Sequence, residues 1–206
     1  MIAMKKKIGI MGGTFNPVHY GHLLLAEQAR EELLLDEILF MPSGNSYMKD
    51  QNEILDGEDR ASMLALAIEG HPDFRLSRME LDRKGPTYTA DTLLELKEKF
   101  PQNTYYFIMG ADSLLMLENW KNPDVILQNA VIAVAVRGAG NTEKIKLISI
   151  HLENTYGANI QILSSRFVDI SSSEIRQRIR DGKSIRYLLP EYVQEYIFKN
   201  HLYQNK

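Results

Sequence analysis

The sequence predicts a doubly wound α/β fold built on a mainly parallel sheet. Segments with helical spacing alternate with short apolar runs along almost the whole chain. Several of these runs, 131–136 among them, are apolar at consecutive positions, as strands must be when helices cover both faces of a parallel sheet. In such sheets, ligands bind beyond the carboxyl ends of the strands, where the strand order reverses.

Each element follows from its local pattern. The segment 7–11 is a short apolar run that two glycines end, which predicts a buried strand followed by a tight turn. Apolar residues recur near helical spacing over 22–34, and Pro42 stops a second strand. The polar segment 43–56 has no apolar periodicity, so we expect a long surface loop there.

The same criteria divide the rest of the chain. The predicted strands span 7–11, 37–41, 74–81, 105–109, 131–136 and 160–163. The predicted helices span 60–69, 90–99, 113–118, 124–128, 142–156, 172–181 and 191–200, in addition to 22–34. Without a repeat or linker, we expect a single domain over 1–206, with about 172–206 as a small C-terminal helical appendage.

Composition excludes several classes of protein. The chain is 44% hydrophobic and 25% charged, which is ordinary for a globular protein, and its net charge of −3 gives no field for nucleic acid or an anionic membrane. It contains no cysteine, which excludes disulfides and thiolate metal sites. The basic start lacks the apolar stretch of a signal peptide. We therefore expect a cytoplasmic protein without nucleic-acid or membrane partners; a homo-oligomer stays open.

The first candidate site follows the first strand, in the segment Gly12-Gly13-Thr14-Phe15-Asn16-Pro17-Val18-His19-Tyr20-Gly21-His22. Two glycines let the backbone turn tightly and bring its N–H groups close to a ligand. The helix that follows presents free N–H donors and the positive end of its dipole, which suits phosphate. A simple strand-ending turn is the alternative for the glycines alone.

His19 and His22 lie three residues apart at the start of that helix, so both side chains point the same way. Two imidazoles in this position can bind phosphate oxygens and neutralise developing charge. The alternatives are surface or capping histidines, or half of a metal site, although the absence of cysteine and of an evident third ligand disfavours zinc.

A second candidate site lies near the C-terminus, in Ile170-Ser171-Ser172-Ser173-Glu174-Ile175-Arg176. Ser171 and Glu174 have the spacing of a capping box, which predicts that a helix begins here. Its first turn carries hydroxyls, free N–H groups and Arg176, which can reach a phosphate. An ordinary capped helix is the alternative.

Both segments resemble the two signature motifs of the paired-histidine nucleotidyltransferases, with Ser173 where the second motif has threonine. This superfamily includes phosphopantetheine adenylyltransferase, the glycerol-phosphate cytidylyltransferases and, more distantly, the class I aminoacyl-tRNA synthetases. The resemblance implies a Rossmann-like nucleotidyltransferase fold. It also implies an ATP site made of Gly12, Gly13, Thr14, Phe15, His19, His22, Ser172, Ser173 and Arg176.

The middle of the chain is similar to the bacterial nicotinate-nucleotide adenylyltransferase family. The similarity rests on Gly85-Pro86-Thr87-Tyr88-Thr89-Ala90-Asp91-Thr92, Gly110-Ala111-Asp112-Ser113, Trp120-Lys121 and Leu188-Leu189-Pro190-Glu191-Tyr192-Val193. It implies a nicotinate-mononucleotide site formed by Thr89, Asp112, Trp120, Lys121 and Arg137, with backbone N–H groups near Thr89 and Lys121 on the carboxylate.

The chemistry of the acceptor agrees with that set. A pyridine ring bearing a carboxylate needs a flat aromatic partner, and Trp120 is the only tryptophan. Asp112 follows a strand on the ligand-facing edge, where it can accept hydrogen bonds from ribose hydroxyls. The alternatives are a core or surface tryptophan for Trp120 and a helix N-cap for Asp112.

The sequence departs from the family pattern in three places. Asn16 stands where aspartate is frequent, which keeps the turn-forming side chain and removes a charge. The segment 138–140 replaces a Pro-Gly pair, which weakens the role of Arg137. In the 42–49 loop, Met48 precedes Lys49 where the family has a histidine and a basic residue. Lys49 either binds the leaving pyrophosphate or is a solvated surface lysine.

The resemblance implies transfer of AMP from ATP to nicotinate mononucleotide, with release of pyrophosphate. His19, His22, Lys49 and Arg176 then stabilise charge, together with Mg²⁺ that binds mainly through the ATP phosphates. Three alternatives stay open: nicotinamide mononucleotide or phosphopantetheine as acceptor, a nucleotide-binding sensor without turnover, and tRNA-linked aminoacylation, which the short chain and its charge disfavour.

Overall fold

The computed structural model describes residues 5–44, 54–136, 142–164 and 168–204. Its centre is a sheet of six parallel strands in the order β3-β2-β1-β4-β5-β6. The strands are β1 Lys7–Gly13, β2 Glu37–Pro42, β3 Phe74–Leu76, β4 Thr104–Gly110, β5 Val131–Ala135 and β6 Ile160–Leu163. The prediction of a doubly wound sheet is confirmed, and every pairing in it is parallel.

Helices connect the strands as the periodicity predicts. They are α1 Tyr20–Leu33, α2 Gly57–Ile68, α3 Thr89–Lys99, α4 Ala111–Leu115, α5 Pro123–Asn129, α6 Thr142–Tyr156, α7 Ser172–Arg180 and α8 Glu191–Lys199. A 3₁₀ turn, Leu117–Asn119, follows α4. The single helix predicted over 113–118 is therefore wrong, because the chain divides there into two short turns.

Alternate side chains of the central strands enter two separate cores. On β4, Tyr105 and Phe107 pack into one core with α3, α5 and α6, whereas Tyr106 and Ile108 pack into the other with α1, α2, α7 and α8. Phe40 on β2 is fully buried in this second core, against the rings of Phe15 and Phe74. Both faces of the sheet are thus covered, as the continuous apolar runs require.

The strand predicted over 74–81 is wrong beyond Leu76. β3 pairs only with β2, and the last paired residues are Phe40 and Leu76. One more bond, from the Ser77 N–H to the Phe40 carbonyl, ends the ladder. Since Pro42 at the end of β2 has no N–H to donate, β2 offers no continuation, and the chain turns away from the sheet.

The C-terminal residues pack onto the sheet rather than apart from it. Ile175 on α7, and Val193 and Ile197 on α8, are fully buried in the core that also contains α1 and α2. The Tyr20 N–H at the start of α1 donates to the carbonyl of Leu188 at 3.0 Å. In the described part of the chain, no helix has the length and apolarity needed to cross a bilayer.

Candidate active site

A cavity of about 630 Å³ opens at the carboxyl ends of the strands. Its floor contains Gly12 and Gly13 at the end of β1, and Met109 and Gly110 at the end of β4. These two strands are neighbours in the sheet although they are not consecutive in the chain, so the strand order reverses between them. The cavity therefore lies at the switch point where the fold predicts a ligand site.

Most of the candidate residues meet around this cavity. The lining includes the predicted residues Gly12, Gly13, Thr14, His19, His22, Thr89, Asp112, Trp120, Lys121 and Ser172. Phe15, Ser173 and Arg176 are absent from the lining among the described residues. Lys49 and Arg137 lie outside the described residues, so their predicted roles stay predictions.

The two histidines form a stacked pair at the start of α1. Their ring centroids are 3.7 Å apart and the planes differ by 28°. The His19 backbone N–H donates to Nδ1 of His22 at 3.3 Å. Because Nδ1 is then an acceptor, a neutral His22 carries its proton on Nε2, which becomes a donor. His19 is also the N-cap residue of α1, so the capping alternative and the phosphate-binding hypothesis are compatible.

The two distant motifs contact each other directly. The Ser172 hydroxyl donates to the Pro17 carbonyl at 2.8 Å, and Nη1 of Arg176 donates to the Asn16 carbonyl at 2.9 Å. Ser171 is the N-cap of α7, and its hydroxyl accepts the Glu174 N–H at 3.2 Å, as predicted. The start of α7 is thereby fixed beside the start of α1.

Arg176 and Phe15 are placed as supports of the first motif. The Arg176 guanidinium contacts the backbone of this motif, and the Phe15 ring is buried beneath it, 5.0 Å from the His22 ring centroid. Ser173 is exposed, and its hydroxyl lies 3.1 Å from that of Ser171. Whether these residues also touch ATP stays a prediction.

The other end of the cavity is aromatic. The rings of Trp120 and Phe107 are perpendicular, with centroids 6.2 Å apart. Its Nε1 is buried and has no hydrogen-bond partner among the described residues. Nζ of Lys121 lies 4.0 Å from the ring centroid of Tyr88 and 3.8 Å from a carboxylate oxygen of Asp91. This end offers a flat ring, an indole donor and a nearby cation.

Asp112 lies in the first turn of α4 and is exposed at the mouth of the cavity. The N-cap of this helix is Gly110, so the alternative that Asp112 is the cap is wrong. Thr89 is the first residue of α3, whose amino-terminal turn faces the same cavity. The N–H groups of that turn are oriented for an anion, such as a carboxylate.

Glu80 is a half-buried carboxylate in the cavity lining that the sequence analysis missed. The Thr92 hydroxyl donates to it at 2.9 Å, and Nη1 of Arg83 donates to the same hydroxyl oxygen at 2.9 Å. Burial raises the pKa of Glu80 above its ordinary value of 4.5, although bonds from Thr92 and Thr87 and the charge of Arg83 oppose this. No local pattern distinguishes it from a surface glutamate.

Replacing this carboxylate should change how stability depends on pH. A raised pKa means that ionised Glu80 destabilises the folded state, so this loss is absent at low pH and develops as pH rises through the folded pKa. Glu80→Gln keeps the acceptor for Thr92 and cannot ionise. We expect the stability of the variant relative to the parent chain to increase from pH 4 to pH 7, in urea unfolding at each pH.

Glu95→Gln is the matched control. Bonds from Lys99 and then Arg83 lower the pKa of Glu95, so its ionised form stabilises the fold above the unfolded pKa. The relative stability of Glu95→Gln should therefore decrease over the same pH range. Parallel trends for the two variants would contradict the assignment for Glu80.

The comparisons with known proteins agree with this geometry. The family model described as cytidylyltransferase-like matches residues 10–178. The probable nicotinate-nucleotide adenylyltransferase of Lachnoclostridium phytofermentans is 46% identical, over 96% of this chain and 99% of that protein. That of Thermoanaerobacter sp. is 40% identical, over 96% and 94%. The Plasmodium falciparum nicotinic acid mononucleotide adenylyltransferase complexed with NaAD has the same fold, with a TM-score of 0.79 at 22% identity, over 96% and 97%.

These matches identify the class of enzyme and then the family within it. The family model matches most of the chain, and residues of both motifs line one cavity, so this protein is a cytidylyltransferase-like nucleotidyltransferase. At 40–46% identity over nearly full length, the chain belongs to the nicotinate-nucleotide adenylyltransferase family.

Proposed function

We propose that this protein transfers AMP from ATP to nicotinate mononucleotide, giving nicotinate adenine dinucleotide and pyrophosphate in NAD biosynthesis. The observation that carries the proposal is the meeting of the two distant motifs and the aromatic segment around one switch-point cavity. One end is rich in donors for phosphates, and the other has a flat ring for a pyridine. The family relationship supports the same reaction.

In this proposal, the 5′-phosphate of nicotinate mononucleotide attacks the α-phosphorus of ATP in line. A new P–O bond forms to the acceptor phosphate, and the bond between the α-phosphorus and the bridging oxygen breaks to release pyrophosphate. The nucleophile is already anionic, so the protein needs no general base. Its contribution is to position the two substrates and to stabilise charge.

His19 and His22 are the proposed stabilisers of charge on the transferred phosphate. Both line the cavity, and the tautomer of His22 set by His19 leaves Nε2 as a donor. The backbone of Gly12, Gly13 and Thr14 and the start of α7 at Ser172 supply further donors. Arg176 supports this end of the cavity through its bond to the Asn16 carbonyl. Lys49 is proposed to bind the leaving pyrophosphate.

Trp120 is the proposed stacking partner of the pyridine ring. The N–H groups near Thr89 and Lys121 then bind the carboxylate, and Asp112 accepts hydrogen bonds from ribose hydroxyls. The exposed position of Asp112 at the cavity mouth supports this, as does the ammonium group of Lys121 beside Tyr88. Arg137 is proposed for this end from the family resemblance alone.

Nucleotidyltransferases of this family generally use a divalent metal, and we propose Mg²⁺. Among the described residues, no group of three or more His, Asp or Glu side chains could hold a metal ion. We propose that the ATP phosphates carry the ion and that the protein binds these phosphates. When bound, the ion supplies charge neutralisation on the phosphate oxygens. We also propose a cytoplasmic location, in keeping with the absence of cysteine.

A pyrophosphate-release assay with three acceptors tests the function. With ATP and Mg²⁺, nicotinate mononucleotide should give the highest kcat/KM, because the N–H groups and the ammonium group at the aromatic end favour a carboxylate over an amide. Preference for nicotinamide mononucleotide or phosphopantetheine would replace the proposed acceptor. Binding of ATP without any pyrophosphate release would indicate a sensor instead.

A further inference from the structure

Arg60 is a buried cation at the back of the first phosphate motif. It lies in the first turns of α2 and is only 4% exposed. Its Nη1 donates to the Thr14 carbonyl at 2.9 Å, and its Nε donates to the Leu55 carbonyl at 3.0 Å. Burial lowers the pKa of the guanidinium below its ordinary value, but an arginine in a protein keeps its charge at neutral pH.

A second set of contacts holds the other end of the same short segment. Arg176 donates to the Asn16 carbonyl, and Ser172 donates to the Pro17 carbonyl. The Asn16 side chain is 4% exposed, and its Oδ1 accepts the Tyr203 hydroxyl at 2.9 Å and the Leu55 N–H at 3.3 Å. Residues 14–17 are thus held by α2, α7 and the C-terminal segment.

The backbone between these contacts adopts an unfavourable conformation. Phe15 has a φ of 49°, in the left-handed region that residues with a Cβ rarely occupy. Such a conformation persists only when the surrounding structure holds it, and it occurs preferentially at functional sites. Arg60 holds the peptide immediately before Phe15, and Arg176 holds the carbonyl of the next residue, Asn16.

The bond from Arg60 also orients an N–H group. In a planar trans peptide, the carbonyl and the N–H point to opposite sides. The Thr14 carbonyl points toward α2, so the Phe15 N–H points away from α2, while Thr14 itself lines the cavity. A cation bonded to the carbonyl also polarises the peptide, which makes its N–H a stronger donor.

We propose that Arg60 is a positioning residue for AMP transfer: it fixes and polarises the Thr14–Phe15 peptide so that the loop after β1 is preorganised for phosphate. This inference rests on the proposed function. Arg60 touches no substrate and acts through the backbone. On α2, Arg60 lies on the same buried face as Met63 and Leu64, three and four residues later.

Two substitutions at Arg60 and one control separate positioning from general stability. Arg60→Gln keeps one donor and removes the charge, whereas Arg60→Lys keeps the charge and one donor direction. Met63→Ala, on the same helix, removes buried apolar contacts but no hydrogen bond to the loop, since Met63 is a fully buried apolar side chain. For each, kcat and both KM values are measured by pyrophosphate release, and the melting temperature by differential scanning.

A preorganisation role predicts a selective loss of kcat. Arg60→Gln should lower kcat about tenfold, below the ~10²-fold that a 1 Å misplacement of reacting groups costs. The KM for nicotinate mononucleotide should stay unchanged, and Arg60→Lys should recover part of the lost kcat. Met63→Ala should lower the melting temperature without this loss. A parental kcat in Arg60→Gln, or an equal kcat loss in Met63→Ala, would overturn the inference.

The design also covers failure to fold and failure of the proposed function. If Arg60→Gln does not fold, Arg60→Lys is compared with Met63→Ala, and a parental kcat in Arg60→Lys would overturn the inference. If the unaltered protein releases no pyrophosphate with any acceptor, the proposed function fails first. If the unaltered protein turns over and the Arg60 variants keep its kcat, the positioning role of Arg60 is refuted and the proposed function stands.

Discussion

Replacing His22 by alanine should lower kcat for pyrophosphate release by about 10²–10³, the loss typical when one preorganised donor to a charged transition state is removed. His22 lines the cavity at the start of α1, and the bond from the His19 N–H to Nδ1 places the proton of a neutral His22 on Nε2, the proposed donor to a phosphate oxygen. The KM values should change much less, because the donor acts most strongly on charge that develops in the transition state. Steady-state kinetics with both substrates varied measures this.

His22 also helps to cap α1, so its two roles need separate variants. In His22→Asn, the side-chain oxygen can accept the His19 N–H as Nδ1 does, but no atom replaces Nε2. This variant should keep its melting temperature and lose kcat as His22→Ala does. His22→Gln, whose amide nitrogen extends further, should retain more activity. A parental kcat in His22→Ala would refute the assignment.

The sequence predicted the sheet well because parallel strands leave a strong local signal. Runs such as 105–109 are apolar at every position, and the structure sends alternate residues of β4 into two cores. The strand predicted over 74–81 is too long, because the alternation of apolar and polar residues continues beyond Leu76 although the neighbouring strand β2 has ended. Strand length there depends on β2 ending at Pro42, which is tertiary information that the segment itself does not carry.

The candidate site also contains both residues that sequence motifs predict and residues that only the folded chain brings together. His19, His22 and Ser172 are in motifs long enough to resemble a superfamily, and the structure brings all three to one cavity. Arg60 and Tyr203 lie in segments with no such motif, yet both bond to the first motif. Burial raises the pKa of Tyr203 and keeps it a neutral donor. Such supports form only when distant segments pack, so sequence patterns underpredict them.

The tertiary contacts of Asn16 give a reason why either asparagine or aspartate fits at this position. Its side-chain oxygen accepts bonds from Tyr203 and Leu55, and a carboxylate oxygen could accept both of these bonds as well. The Asn16 side chain therefore serves as a buried acceptor for Tyr203 and for the backbone of Leu55. The expectation that asparagine is tolerated here stays a prediction, with a geometric reason.

Replacing Trp120 by alanine should raise the KM for nicotinate mononucleotide by about 5- to 150-fold, since stacking of a base on an aromatic side chain contributes about 1–3 kcal/mol. The indole lines the cavity, and its ring lies perpendicular to that of Phe107. ATP is proposed to bind at the other end, so its KM should stay unchanged. Steady-state kinetics with each substrate varied in turn distinguishes the two effects.

Trp120→Phe separates the ring from its nitrogen. Phenylalanine keeps an aromatic face but has no donor in place of Nε1, which is buried without a partner among the described residues. If stacking dominates, Trp120→Phe should recover most of the affinity; if the indole N–H binds the substrate, it should stay as weak as Trp120→Ala. An increase in the KM for ATP with no change for nicotinate mononucleotide would contradict the placement of the acceptor. Because a buried donor left unsatisfied is unfavourable, a bound acceptor that bonds to Nε1 gains more affinity than stacking alone provides.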